Sequence, residues 1–253
     1  MQFFSYLISG ISLGSVYALI ALGYTMVYGI AKMLNFAHGD IIMIGSYIVF
    51  FAFGSAGLNP ILAIVLSMVV CTVLGVTIER IAYRPLRDAP SLAVLITAIG
   101  MSYLLQQVAQ LSWTSSPKSF TSVVKGFAPI SLFDGQLRIP AETVVTIAAC
   151  VVIMIALMLF IKYAPAGHAM LAVSEDRGAA QLMGVNVNAT ISLTFAIGSA
   201  LAAVAGALLC SAYPTLQPTT GAMPGIKAFV AAVFGGIGSI PGAFLGGILL
   251  GVI

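Results

Sequence analysis

The stretch Asn35-Phe36-Ala37-His38-Gly39-Asp40 places an amide, an imidazole and a carboxylate within six residues, between two apolar runs. Such groups are costly against hydrocarbon, so they are expected to face protein or a water-filled path. A helix break at membrane depth would let the backbone here meet a solute, which makes Asn35, Phe36, His38, Gly39 and Asp40 candidates for a translocation path. An ordinary polar turn at the membrane surface fits the same residues, with Asp40 in the first turn of the next helix, where the dipole favours an acid.

Three further stretches need a reason to exist in so apolar a chain. In Glu175-Asp176-Arg177-Gly178-Ala179-Ala180-Gln181-Leu182-Met183-Gly184, Ser174 is placed to cap a short helix, two acids fall in its first turn, and Gly184 ends it. A free helix of about ten residues is marginal in water. Docking onto another protein is a natural source of its order, and packing as a connector on its own bundle is the alternative. The segment Glu79-Arg80 to Tyr83-Arg84-Pro85-Leu86-Arg87 reads as a helix stopped by Pro85. Its arginines are expected to anchor to phospholipid headgroups or to meet Glu79 and Asp88. Gly235-Gly236-Ile237-Gly238-Ser239-Ile240-Pro241-Gly242 is a glycine-rich break between short apolar helices. No strand precedes it and no Lys-Ser or Lys-Thr follows, so a discontinuous or re-entrant element is expected rather than a phosphate loop. Lys227, just before it, is expected to snorkel.

The chemistry these residues do not offer narrows the function. There is no Walker motif, Gly-x-Ser-x-Gly or His-Glu-x-x-His, and no series of intramembrane acids of the proton-relay kind. Cys71, Cys150 and Cys210 lie in apolar runs, away from each other and from histidine, which argues against disulfides and zinc. No nucleophile–base pair or metal cluster supports an enzyme. No catalytic, cofactor or metal residue is therefore named, and no cofactor is expected. The net charge of +3 is scattered, with no run of like charges that would suit nucleic acid.

The elements that must position these stretches are apolar helices. Only 7% of the 253 residues are charged, 60% are hydrophobic and the mean hydropathy is +1.12. A globular chain is about a quarter charged. Continuous apolar runs favour membrane helices over the alternating strands of a barrel. Eight helical segments are expected, at about 5–30, 40–54, 60–79, 91–111, 141–162, 189–213, 226–238 and 241–253. The fold class is all-α: one polytopic transmembrane bundle over 1–253 with discontinuous helices. The first segment has no preceding Lys or Arg and is expected to remain as a helix. Loops 79–90 and 163–188 should share one face and 112–140, with Lys118, Lys125, Asp134 and Arg138, the other. Arg80, Arg84 and Arg87 within eight residues put the first two loops in the cytoplasm and the N-terminus outside. Small residues four apart (Gly10 and Gly14, Ala202 and Gly206, Gly242 and Gly246, Gly247 and Gly251) suit close helix packing within one chain.

These stretches, taken in order, resemble the permease subunits of branched-chain amino acid ABC importers, of the type carrying the Asn-Phe-Ala-His-Gly segment. The resemblance runs through Ala18 to Gly29, Asn35 to Asp40, Ile44 to Tyr47, Glu79 to Arg87 and Leu95 to Gly100. It continues through Glu175 to Asn188, Leu193 to Gly206, and Lys227-Ala228-Phe229 to Gly242. It implies a multi-pass protein of the bacterial inner membrane that translocates a small-molecule substrate, leucine, isoleucine, valine or a related solute. Membrane lipid surrounds it. Its implied partners are a second permease subunit, two cytoplasmic ATP-binding subunits that hydrolyse ATP, and a periplasmic solute-binding protein. Residues 163–188 resemble the cytoplasmic coupling loop, with Glu175, Ala179, Ala180 and Gly184 matching the pattern that docks into the ATPase. His168 departs from it, standing where arginine is expected. The C-terminal end of the family domain is expected to lie beyond Ile253. A permease for urea or short amides shares much of this pattern, and a secondary transporter independent of ATP is the alternative of a different class.

Overall fold

In lipid, a backbone must satisfy its own polar groups, and a lone apolar run can do so only as a helix. The computed structural model describes residues 2–87, 89–124, 130–132 and 137–253, and over them the chain is a helical bundle. The expected partners and loop charges at Asp88, Lys125 and Asp134 lie outside the described residues. The long helices are α1 (Gln2–Ala31), α2 (His38–Val49), α3 (Pro60–Ile78), α4 (Ser91–Trp113), α5 (Ala141–Tyr163) and α8 (Val187–Ala212). A π-helical stretch, Phe50–Ser55, extends α2, and α3 loosens into a π turn, Glu79–Tyr83, and a 3-10 turn, Arg84–Leu86, before ending at Pro85 and its neighbours. These make six apolar spans, joined by the shorter α9 (Ala222–Phe234) and α10 (Ile240–Val252). Among the described residues the strands are minor: β1 (Lys118–Ser119) pairs antiparallel with β4 (Thr215–Leu216), and β2 (Ile130–Leu132) with β3 (Leu137–Ile139).

Helix starts follow local chemistry. Asn59 accepts a bond from the Ile61 amide with Pro60 in the first turn of α3, and Ser239 caps α10 through the Gly242 amide. α9 begins four residues before the expected position. Pro224 falls in its first turn, where a missing N–H costs nothing, so Pro224 and Gly225 do not delay the helix. Its end comes correspondingly early, at Gly235 and the positive-φ Gly236.

The region 163–188 requires a larger correction. It holds two helices, α6 (Pro165–Glu175) and α7 (Arg177–Leu182), where a loop with one short helix was expected. Asp176, not Ser174, is the cap: its carboxylate accepts from the amides of Gly178 at 2.7 Å and Ala179 at 3.0 Å. Glu175 closes α6 rather than opening the next helix. Pro165 at the first helical position was the start signal for α6. Gly167 lies directly on the backbone of Phe160 and Ile161, which folds α6 back against α5.

The core is formed by α1, α2 and α8, while α3, α4 and α5 present large aliphatic residues such as Val69, Leu104 and Leu159 outward, as a lipid-facing ring must. The small-residue faces pack within the chain. Gly14 of α1 meets α10 so closely that a Cβ there would lie 2.8 Å from the backbone of Ile248. Loops 79–90 and 163–188 meet at one end, where Arg87 donates to Asn188. The β strands gather at the other. The first end holds Lys32, Arg80, Arg84, Arg87, Lys162 and Arg177, six of the ten cations, the asymmetry on which the expected orientation rests.

Candidate functional site

The polar run 35–40 sits inside the bundle. The ring of His38, first residue of α2, lies against Gly23 of α1, where a Cβ would come within 2.5 Å of it, and Gly23 in turn packs on Gly198 near the middle of the 26-residue α8. Gly23 is eight residues above the end of α1, about 12 Å along its axis. Residues 32–37 therefore climb back from the cation-rich end, after a left-handed turn at Lys32 (φ +53), and α2 starts at membrane depth. Of the two readings open at the outset, this is the helix break and not the surface turn.

Each polar group is shielded from lipid. Asn35 accepts a hydrogen bond from the Tyr83 hydroxyl at 2.9 Å, and Asp40 accepts one from the Gln106 amide at 2.9 Å. His38 stacks edge-on against Tyr24, and neither of its ring nitrogens meets a protein partner among the described residues. Phe36 is half-buried against Phe229. Gly39 passes the first turn of α9 with no room for a side chain: a Cβ would lie 2.6 Å from the carbonyl oxygen of Gly221. The space beside Asn35, between Tyr24, Tyr28 and Phe229, is about 10 Å³, so the polar run is packed shut in this conformation.

Sequence reasoning did not single out Gln106. A glutamine in the apolar helix at 91–111 carries the same desolvation cost as the residues that were noticed, and that cost was the available signal.

At the cation-rich end, Glu79 is 0% exposed and pairs with Arg87, while Ser192 donates to its second oxygen at 2.6 Å. Of the two expectations for these arginines, Arg87 fulfils the pairing with Glu79 and not the headgroup contact. Arg80 and Arg84 are exposed beside Asn186 and Ser192. Of the four coupling-loop candidates, Glu175, Ala179 and Gly184 are on the surface and Ala180 is buried, so Ala180 anchors α7 to its own bundle. Gly184 ends α7 in a Schellman motif: its φ is +86, its amide donates to Gln181 and the Val185 amide reaches back to Ala180. Leu182 and Met183, which the sequence did not mark out, are 90% and 84% exposed. A cavity of about 600 Å³ beside them is lined by Arg87, Arg177, Gln181 and Asn188. Arg177 donates to the carbonyl of Ala31, so α7 touches the chain just where α1 gives way to the climb toward His38.

Residues 6–253 match the family described as branched-chain amino acid transport system, permease component. The chain is 46% identical to the high-affinity branched-chain amino acid transport system permease protein BraD of Pseudomonas aeruginosa, over 97% of this chain and 83% of that protein. It is 43% identical to the corresponding LivH of Escherichia coli strain K12, over 100% of this chain and 85% of LivH. A probable branched-chain amino acid permease, LivH of Methanocaldococcus jannaschii, is 31% identical over 92% of this chain and 74% of its own length. No solved structure matches. With six apolar spans and a match to that family over nearly its whole length, the chain belongs to the branched-chain amino acid transport permease family.

Proposed function

We propose that this chain is one of two permease subunits of an ATP-driven importer in the bacterial inner membrane, carrying leucine, isoleucine, valine or a related amino acid. A periplasmic binding protein delivers the solute and two cytoplasmic ATP-binding subunits supply the energy. The ATPase docks on α6 and α7, with Glu175, Ala179 and Gly184 at the contact and Ala180 holding the lever from behind. Asn35, Phe36, His38, Gly39 and Asp40 form the part of the path that opens during the cycle.

The observation that carries this reading is the exposure of Leu182 and Met183 at the polar, cation-rich end of the molecule. Lipid covers exposed leucines elsewhere on the bundle, and here a protein partner must. Arg177 then joins the docking helix to the end of α1, which gives partner movement a direct route to the helix break.

The test is uptake of radiolabelled leucine and of urea into proteoliposomes holding the permease pair, both ATPases and the binding protein. Leucine accumulation that requires ATP supports the reading. Accumulation driven by an ion gradient without the ATPases, or of urea alone, overturns it.

A further inference from the structure

Lys227 is the sole charged residue between positions 178 and 253. It sits in the middle of an otherwise apolar exposed face of α9, among Met223, Ile226, Val230 and Phe234. Gly221 and Gly225 pack on Gly39, itself at membrane depth, and Lys227 is two residues beyond Gly225 on α9. Its ammonium reaches back to α1. It lies 5.6 Å from the ring centroid of Tyr17, halfway along α1. No carboxylate pairs with it among the described residues. Burial raises the phenol of Tyr213, at the extracytoplasmic end of α8, above its ordinary value; Tyr17 adds to this and Lys227 opposes it, so the three side chains lie within electrostatic reach.

An ammonium at this depth is expensive against hydrocarbon and needs water or an anion. The cation–π contact with Tyr17 offsets only about 0.5–2 kcal/mol. A face of α9 that holds such a group therefore cannot be a lipid face along its whole length. An amino acid crossing the bilayer brings a carboxylate with the same difficulty, and the two charges solve it for each other.

We propose that Lys227 receives the carboxylate of the transported amino acid midway along the path, at the level of Tyr17, with Tyr17 and Tyr213 beside it. This rests on the amino-acid importer reading above. The polar run at 35–40 offers Asp40 but no cation, so the carboxylate site and the helix break are separate stations on one route.

The test uses the complete transporter in proteoliposomes. Wild-type leucine uptake is measured first, because its absence defeats the importer reading and not this one. With wild type active, Lys227→Met keeps the stem and loses the charge, and it is expected to lower leucine carried per ATP hydrolysed about tenfold or more. Lys227→Arg is expected to stay within about threefold, since the charge is kept. A structural role predicts the reverse, because methionine packs in lysine's place more easily than arginine. Lys227→Cys supplies a second measurement, the native cysteines being buried. Aminoethyl methanethiosulfonate, which rebuilds a cation, should restore uptake, and the sulfonatoethyl reagent should not. Unchanged uptake in Lys227→Met, equal rescue by both reagents, or a cysteine that neither reagent reaches in the assembled transporter would overturn the proposal.

Discussion

At the scale of single residues, the most consequential polar group outside the 35–40 run is Glu79. Its carboxylate is buried and shared by Arg87 from the same connection and Ser192 from α8. Removing one member of a buried pair leaves a charge with no water and typically costs about 3–5 kcal/mol. Arg87→Met should therefore lower the unfolding temperature in detergent markedly, and Glu79→Gln added to it should recover much of the loss. An Arg87→Met protein as stable as wild type would show that the pair holds nothing together. The sequence offered Glu79 as one partner for Arg87, but not Ser192, because Ser192 lies 113 positions from Glu79 and only the fold brings them together. Asn35, His38 and Asp40 were more readable. The cost of polar groups between apolar runs does not depend on knowing their partners.

Among elements, α7 is short, exposed and held by three local devices: the Asp176 cap, the buried Ala180 and the Schellman turn at Gly184. A β-branched residue at Gly184 must adopt a left-handed φ, which costs roughly 1–2 kcal/mol. Because α7 contributes little to the core, Gly184→Val should leave insertion and folding intact while distorting the docking surface. Its expected signature is ATP hydrolysis without matching solute uptake. Glu175→Lys, which reverses an exposed charge next to α7, should behave likewise. Normal uptake in both variants removes the docking role. Gly184 was readable in the sequence as a helix end, since glycine there has a backbone reason. The break at Asp176 was harder to see: an acid can serve as cap or as first-turn residue, and the choice depends on whether a helix already precedes it. α6 escaped notice because its residues look like a polar connector until Gly167 is seen lying on α5.

For the whole molecule, the arrangement is a buried triad of α1, α2 and α8 inside a lipid-facing ring, with α9 and α10 folded onto α1. The long membrane-spanning segments and the fold class were legible because hydrocarbon thickness and backbone satisfaction leave few alternatives. Depth was not: whether a polar turn lies at the surface or inside the membrane depends on how far the chain climbs after α1, and residue types do not encode that. Orientation rests on the cations gathered at one end, and labelling can test it directly. In intact cells, a membrane-impermeant thiol reagent should modify Ser116→Cys and leave Arg84→Cys untouched until the membrane is opened. The reverse pattern would invert the topology.

The stacking of Trp113 on Tyr47, with ring centroids 4.4 Å apart, has a spectroscopic consequence. Trp113 is the sole tryptophan of the 253 residues, so emission excited at the red edge, where tyrosine does not absorb, comes from one place, where the end of α4 meets α2 just before its π-helical stretch. Any step of the transport cycle that slides α2 past α4 must change that emission. The permease therefore carries its own optical probe of movement in the helix that begins at His38, readable in the assembled transporter wherever the partner subunits are made free of tryptophan.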